Sequence, residues 1–374
     1  MTMRGWVLAI VFAAGAAACS QPPPAPSDAI DVASALGGAA DPGFLRAETP
    51  RAFAFPADHA AHPGFRNEWW YFTGNLAGAD GRRFGFQLTF FRIQLSPSPT
   101  VRASAWATDT VWMAHFALSD GKRARHRAFE RYARGAAGLA GATPSPTEVW
   151  LDDWRVLIPT DTTAEWRIEA AEQGVALRLA LTPERAVVLQ GERGLSQKSA
   201  EPGNASYYYS IPRLRARGEI ELDGERHPVS GLAWLDREWS TSALGPDQVG
   251  WDWFALQLDD GTDLMFYQLR QRDGGVDPHS KGSISNGAST LSLASDDLAV
   301  RVTEHWTSPS GVRYPAAWRL HLPRIGRALT VRPVFNAQEM DLSVRYWEGA
   351  VDVLDEHDAV IGRGYVELAG YRVR

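Results

Sequence analysis

From residue 65 onward, the feature that most constrains this chain is a period of two. In "RRFGFQLTFFRIQL" (82–95), Phe84, Phe86, Leu88 and Phe90 fall on one face of an extended strand, with smaller or polar residues between them. The runs 166–183, 217–235 and 340–371 alternate in the same way around turn residues such as Asp-Gly. Past the N-terminal apolar run, no segment combines a helical stripe with a capping pattern. The pattern predicts an all-β chain built of hairpins.

One hairpin is written twice. Trp69-Trp70-Tyr71-Phe72 leads through Asn75-Leu76 and Asp80-Gly81 into "RRFGFQL". Trp251-Asp252-Trp253-Phe254 leads through Gln257-Leu258 and Asp260-Gly261 into "TDLMFYQL". Trp69 aligns with Trp251, Tyr71 with Trp253, Phe72 with Phe254 and Leu76 with Leu258. Each Asp-Gly supplies the positive φ that a tight turn needs. An internal duplication is expected, with β-domains at 50–215 and 216–374. Sheet closure into two antiparallel barrels removes free edges, and an open sandwich is the alternative.

The N-terminus places the chain. Trp6 to Ala18 (WVLAIVFAAGAAA) is short for a membrane span and fits the core of a signal peptide. It ends at Cys19, the chain's one cysteine, in the manner of a bacterial lipoprotein signal over 1–19. An ordinary secretory signal with an incidental cysteine is the other reading. Lipidated Cys19 would anchor the protein in the periplasm, and Ser20 points to the outer membrane. Residues 20–49, rich in Pro, Ala, Gly and Ser, read as a tether. A net charge of −6 with no basic stripe leaves no case for nucleic acid. The histidines show no metal-site spacing, and no phosphate loop or nucleophile elbow occurs, so no cofactor or metal is expected.

Three longer motifs are more specific: "EWWYFTGNL" (68–76), "GLSQK…NASYYYS" (194–210) and "DREWSTSALGPDQVGWDWF" (236–254). Together they resemble the AttH/CrtC family of carotenoid 1,2-hydratases and lipocalin-like relatives, from about residue 55 to the C-terminus, and are closest to the AttH-type branch. The resemblance implies two lipocalin-like β-barrel domains with a site for an apolar isoprenoid or acyl ligand, and a link to ABC transport. Its other implication is a hydro-lyase or cyclase-type enzyme, with Asp236 as the acid and Trp239 facing a carbocation. A neutral carboxylic acid can protonate an alkene, and an indole face can stabilise the cation. The hydratases resemble Asp-His-x-Trp here, whereas this chain has Asp236-Arg237-Glu238-Trp239. Arg237 cannot relay a proton near neutral pH and would favour an ionised neighbour.

Strand geometry divides these candidates. Trp234, Asp236 and Glu238 share one face, with the two carboxylates roughly 6.6 Å apart along the strand; Arg237 and Trp239 take the other. Asp236 or Glu238 paired to an arginine across the sheet is the structural alternative. Tyr267 is a further catalytic candidate. Trp69, Tyr71, His115, Tyr208, Trp251 and Trp253 are candidates for the ligand wall, about half of the tryptophans serving as core plugs instead. His115 is equally readable as a hydrogen-bonded core residue.

Overall fold

The computed structural model describes residues 30–31 and 42–373, apart from 99–102 and 243. The signal peptide and Cys19 lie outside the described residues. Within them the chain is all-β: 24 strands and two short 3-10 turns. A 13-stranded sheet runs from Asn67 to Ser240, and an 11-stranded sheet holds the remaining strands.

The two sheets share one plan. In each, the strand that opens the repeated aromatic hairpin pairs with both its hairpin partner and the last strand. Asn67–Gly78 lies between Arg83–Gln94 and Glu225–Ser240; Gln248–Leu258 lies between Asp263–Gln271 and Val360–Ala369. The repeated aromatic hairpin therefore holds the same place in both halves. Its turns match as well, with Gly81 at φ 76° donating to Gly78 O and Gly261 at φ 85° donating to Leu258 O.

The first sheet nearly closes into a barrel. Strand Thr147–Leu151, near one edge, packs on Arg83–Gln94, Thr110–Asp120 and Arg125–Arg134 towards the other. Arg131, on the edge strand Arg125–Arg134, reaches across to Glu172 with an ion pair at 2.9 Å. Inside lies a core that includes Trp70, Phe72, Leu76, Phe116, Trp154 and Trp239. The second sheet wraps a separate core around Phe254, Leu258, Trp318 and Trp347.

Two expected boundaries move. The sheets part between Ser240 and Gln248, not at 215/216, because Ala205–Leu222 and Glu225–Ser240 form one long hairpin of the first sheet. The tether also ends before residue 49. Ile30–Asp31 pairs in parallel with Val344 and Arg345. Phe44 and Ala47 are buried, and Thr241 donates its hydroxyl to Leu45 O.

The sheets meet through their duplicated strands. Asn75 Nδ2 donates to Gly364 O across the joint at 2.9 Å, and its counterpart Gln257 donates back to Ala233 O at 3.1 Å. Ala233 pairs with Gly74 and Gly364 with Leu256, so the exchange is reciprocal. The approach is close enough that a Cβ on Gly85 would stand 2.7 Å from that of Ala350. Glycine is required there by space.

Candidate functional site

Between the two sheets lies a cleft with about 740 Å3 of empty space, counting the part that opens to solvent. Alternation builds its walls, because the residues of each duplicated strand that face away from their own core face the other sheet. Trp69 and Tyr71 come from one copy, Trp251 and Trp253 from the other, and Tyr71 meets its own counterpart Trp253 edge to face at 5.1 Å. Phe91, paired with Trp69, and Leu269, paired with Trp251, extend the wall.

The register carries the duplication further than the hairpin. Asp236 pairs with Tyr71, and Glu367 pairs with Trp253. Ser210 pairs with Asp236, and Glu348 with Glu367. Asp236 and Glu367 are therefore equivalent positions in the two halves, and both line the cleft. Tyr208 and Tyr346, each two residues before those partners, line it too.

Their surroundings differ. Asp236 accepts three hydrogen bonds, from the Tyr208 hydroxyl, from Ser210 Oγ at 2.5 Å and from Trp234 Nε1 at 2.7 Å. The Trp253 indole N–H in turn donates to Tyr208 Oη at 3.2 Å. Burial pushes the Asp236 carboxyl up to about 6 despite those three donors, and the charge of Glu238 adds to the rise. Glu367 accepts from Trp251 Nε1 at 2.7 Å, with Tyr71 as a further hydrogen-bonding neighbour, and keeps part of its surface open to the cleft. It faces Glu348 directly across the ladder. Burial, with the charges of Asp236 and Glu238, pushes Glu367 up to about 7. Burial and the charge of Glu367 drive Glu348 well above the usual carboxylate range, although Tyr71 donates to it at 2.5 Å. Both carboxyls are thus shifted upward, and burial away from bulk water favours a retained proton on the pair.

A third group occupies one end of the cleft. Lys198 pairs with Glu238 at 3.1 Å and lies 4.0 Å from the centre of the Tyr267 ring. Burial disfavours the Lys198 ammonium, but the Glu238 carboxylate and Tyr267 together outweigh it and raise the lysine's pKa. Tyr267 exchanges a hydrogen bond with Ser196 at 2.7 Å.

The structure thus brings Asp236, Glu238, Tyr267, Trp69, Tyr71, Tyr208, Trp251 and Trp253 into one cleft. Trp239 is the exception: it lies wholly inside the first barrel, its ring stacked on His62 at 3.6 Å, and cannot share a ligand with Asp236. Trp70 is a core plug beside it. His115 sits one layer behind the wall, bonded to Tyr346 Oη at 2.7 Å. Burial lowers its pKa to about 3, so it stays neutral and positions Tyr346.

Arg237 also turns away from Asp236. Its guanidinium lies 3.8 Å over the Trp70 ring and donates to Glu68 Oε2 at 2.5 Å and to Ala60 O at 2.6 Å. Glu68 is fully buried, which would raise its pKa, yet Arg237 and Arg92 hold it well below the usual range. The expectation that Arg237 ionises Asp236 therefore fails, since the arginine serves the barrel end. Among the described residues, neither acid pairs with an arginine across the sheet. Glu238 has Lys198, and Asp236 has hydroxyls and an indole.

Sequence reasoning missed Glu367, Glu348, Tyr346 and Lys198. The signal for Glu367 was present: "WLD" (234–236) and "YVE" (365–367) are the same aromatic–apolar–acid triplet in the closing strands of the two halves.

A duplicated pair of lipocalin-like β-sheets that clasps an aromatic, acid-lined cleft defines the class of protein. The model of the AttH-like family matches residues 46–371, and the chain belongs to that family. Its structure is similar to the crystal structure of a protein assigned to AttH in Nitrosomonas europaea. The two share 36% identity at a TM-score of 0.78, over 88% of this chain and 100% of that one. The fold also matches kievitone hydratase from Nectria haematococca, at 15% identity and a TM-score of 0.62, over 88% of this chain and 98% of that one. Comparison with the curated proteins found no match.

Proposed function

We propose that this protein binds an apolar, unsaturated small molecule in the cleft and acts on it as a hydro-lyase, with Glu367 as the acid. The carrying observation is Glu367, which lines the aromatic cleft, faces the buried Glu348 carboxyl across the ladder and is pushed up to about 7. Protonation of an alkene by Glu367 forms a C–H bond from the π electrons and leaves a carbocation. The faces of Trp69, Trp251 and Trp253 lower its energy by about 0.5–2 kcal/mol each. Water then forms the C–O bond and returns its proton to the Glu367 carboxylate, so the acid is regenerated. The hydratase among the structural neighbours agrees with this reading at the level of fold.

The test is incubation of the purified protein with isoprenoid alkenes in 18O-labelled water. Incorporation of one oxygen per double bond, lost in Glu367→Gln, supports the reading; no incorporation with any alkene that binds overturns it.

Carriage of an apolar ligand for an ABC transporter is the second reading. It is favoured by Asp236, whose three donors fix it as a structural anchor. On the sequence alone we propose a periplasmic lipoprotein anchored through Cys19. Cys19→Ala should release it from the membrane fraction, and a protein never found there contradicts the anchor.

A further inference from the structure

The cleft does not end at its apolar wall. Leu244 lines both it and a second groove, where the ends of strands Gln248–Leu258, Asp263–Gln271 and Ala299–Thr307 meet residues 370–373. The strands pass from one site directly to the other: Trp251 and Leu269 line the cleft, Val249 and Arg270 the groove. About 1990 Å3 of empty space lies in the groove, counting the part open to solvent.

Its charged lining is Arg270, Arg272, His305, Arg313 and Arg372, with no carboxylate among the lining residues. Arg270 is fixed from behind by buried Asp252 at 2.9 Å and lies 3.8 Å from the centre of the Tyr371 ring. Arg272 and Arg313 are exposed, and neither has an ion-pair partner among the described residues. Arg313 also depresses the pKa of His305, after burial. A chain of net charge −6 has thus placed two arginines without ion-pair partners among the described residues, Arg272 and Arg313, beside its apolar cleft. Guanidinium groups recognise carboxylate and phosphate oxygens in bidentate fashion.

We infer that the ligand is an amphiphile with an anionic head, a carboxylate or phosphate. Its head rests on Arg272 and Arg313, and its apolar tail passes Leu244 into the cleft. This rests on the reading of the cleft as an apolar-ligand site and adds the chemistry of the head.

Isothermal titration of the folded chain with dodecyl phosphate, 1-dodecanol and inorganic phosphate tests it, with the Arg272→Glu/Arg313→Glu variant as control. Both sites are exposed, and circular dichroism checks the variant's fold. The expected result is at least tenfold tighter binding of dodecyl phosphate than of dodecanol, with the difference abolished in the variant. Equal affinities, or a difference that survives in the variant, overturn the anionic head while the cleft reading stands. Inorganic phosphate that binds as tightly as dodecyl phosphate marks a simple anion site and overturns the amphiphile. If neither chain-bearing probe binds, the cleft reading fails together with this inference.

Discussion

Duplication put an acid at the same place in both halves of this protein, and the two acids have come to different uses. Asp236 is saturated by Tyr208, Ser210 and Trp234. Glu367, its counterpart, has Trp251 and a second carboxyl opposite it. Three donors favour the charged form and fix the side chain, whereas a carboxyl neighbour favours a retained proton. Equivalent backbone positions therefore do not imply equivalent chemistry. The partner strand decides, because it supplies serine to one acid and glutamate to the other.

The comparison is broken most directly by removing each acid in turn. Glu367→Gln should lower turnover of any hydrated alkene by roughly 10²- to 10⁴-fold, the range for a general acid, with little change in stability. Asp236→Asn should act the other way, setting an amide NH2 against the Tyr208 hydroxyl and costing about 1–3 kcal/mol in urea denaturation, with the smaller effect on rate. A reversed order would return the acid's role to Asp236.

The other face of the same strand supplies a structural control of comparable size. Arg237 and Arg92 converge on buried Glu68. Glu68→Ala strands two guanidiniums inside the barrel and should cost about 3–5 kcal/mol by chemical denaturation. A loss under 1 kcal/mol would show that this end of the barrel is wet.

A smaller effect reads the proton itself. The folded protein binds the Glu367 proton more tightly than the unfolded chain does, with its pKa raised from 4.5 to about 7. The stability this contributes is fully present below pH 4.5 and is lost as pH rises to about 7. Asp236, raised from 3.8 to about 6, adds a loss that begins lower. Chemical denaturation from pH 4 to 8 should show stability falling through this window, and Glu367→Gln should flatten the upper part. An unaltered slope in that variant would place the proton elsewhere.

Much of this was legible in the chain before folding. Period two assigned Trp69, Tyr71, Trp251 and Trp253 to one kind of face, and it separated Asp236 and Glu238 from Arg237 and Trp239. The structure keeps each of these assignments. Alternation fixes which residues share a face, but it does not say what that face meets. The pairing of Glu348 with Glu367, the approach of Lys198 to Glu238 and the burial of Trp239 beneath His62 all depend on long-range register. The 215/216 boundary failed for the same reason. The hairpin motif marks where a repeat begins, whereas the strand that closes the first sheet carries no such mark beyond "WLD" and its echo "YVE".

The central claim is that Glu367, rather than Asp236, holds an exchangeable proton near neutral pH. Infrared difference titration of the protonated-carboxyl band, comparing wild type with Glu367→Gln, measures it directly. The account predicts a component of that band that disappears with a midpoint near pH 7 in the wild type and is missing from the variant, beside a Glu348 component that persists to higher pH. A midpoint below pH 5, or a neutral-pH band that survives Glu367→Gln and vanishes in Asp236→Asn, would contradict it.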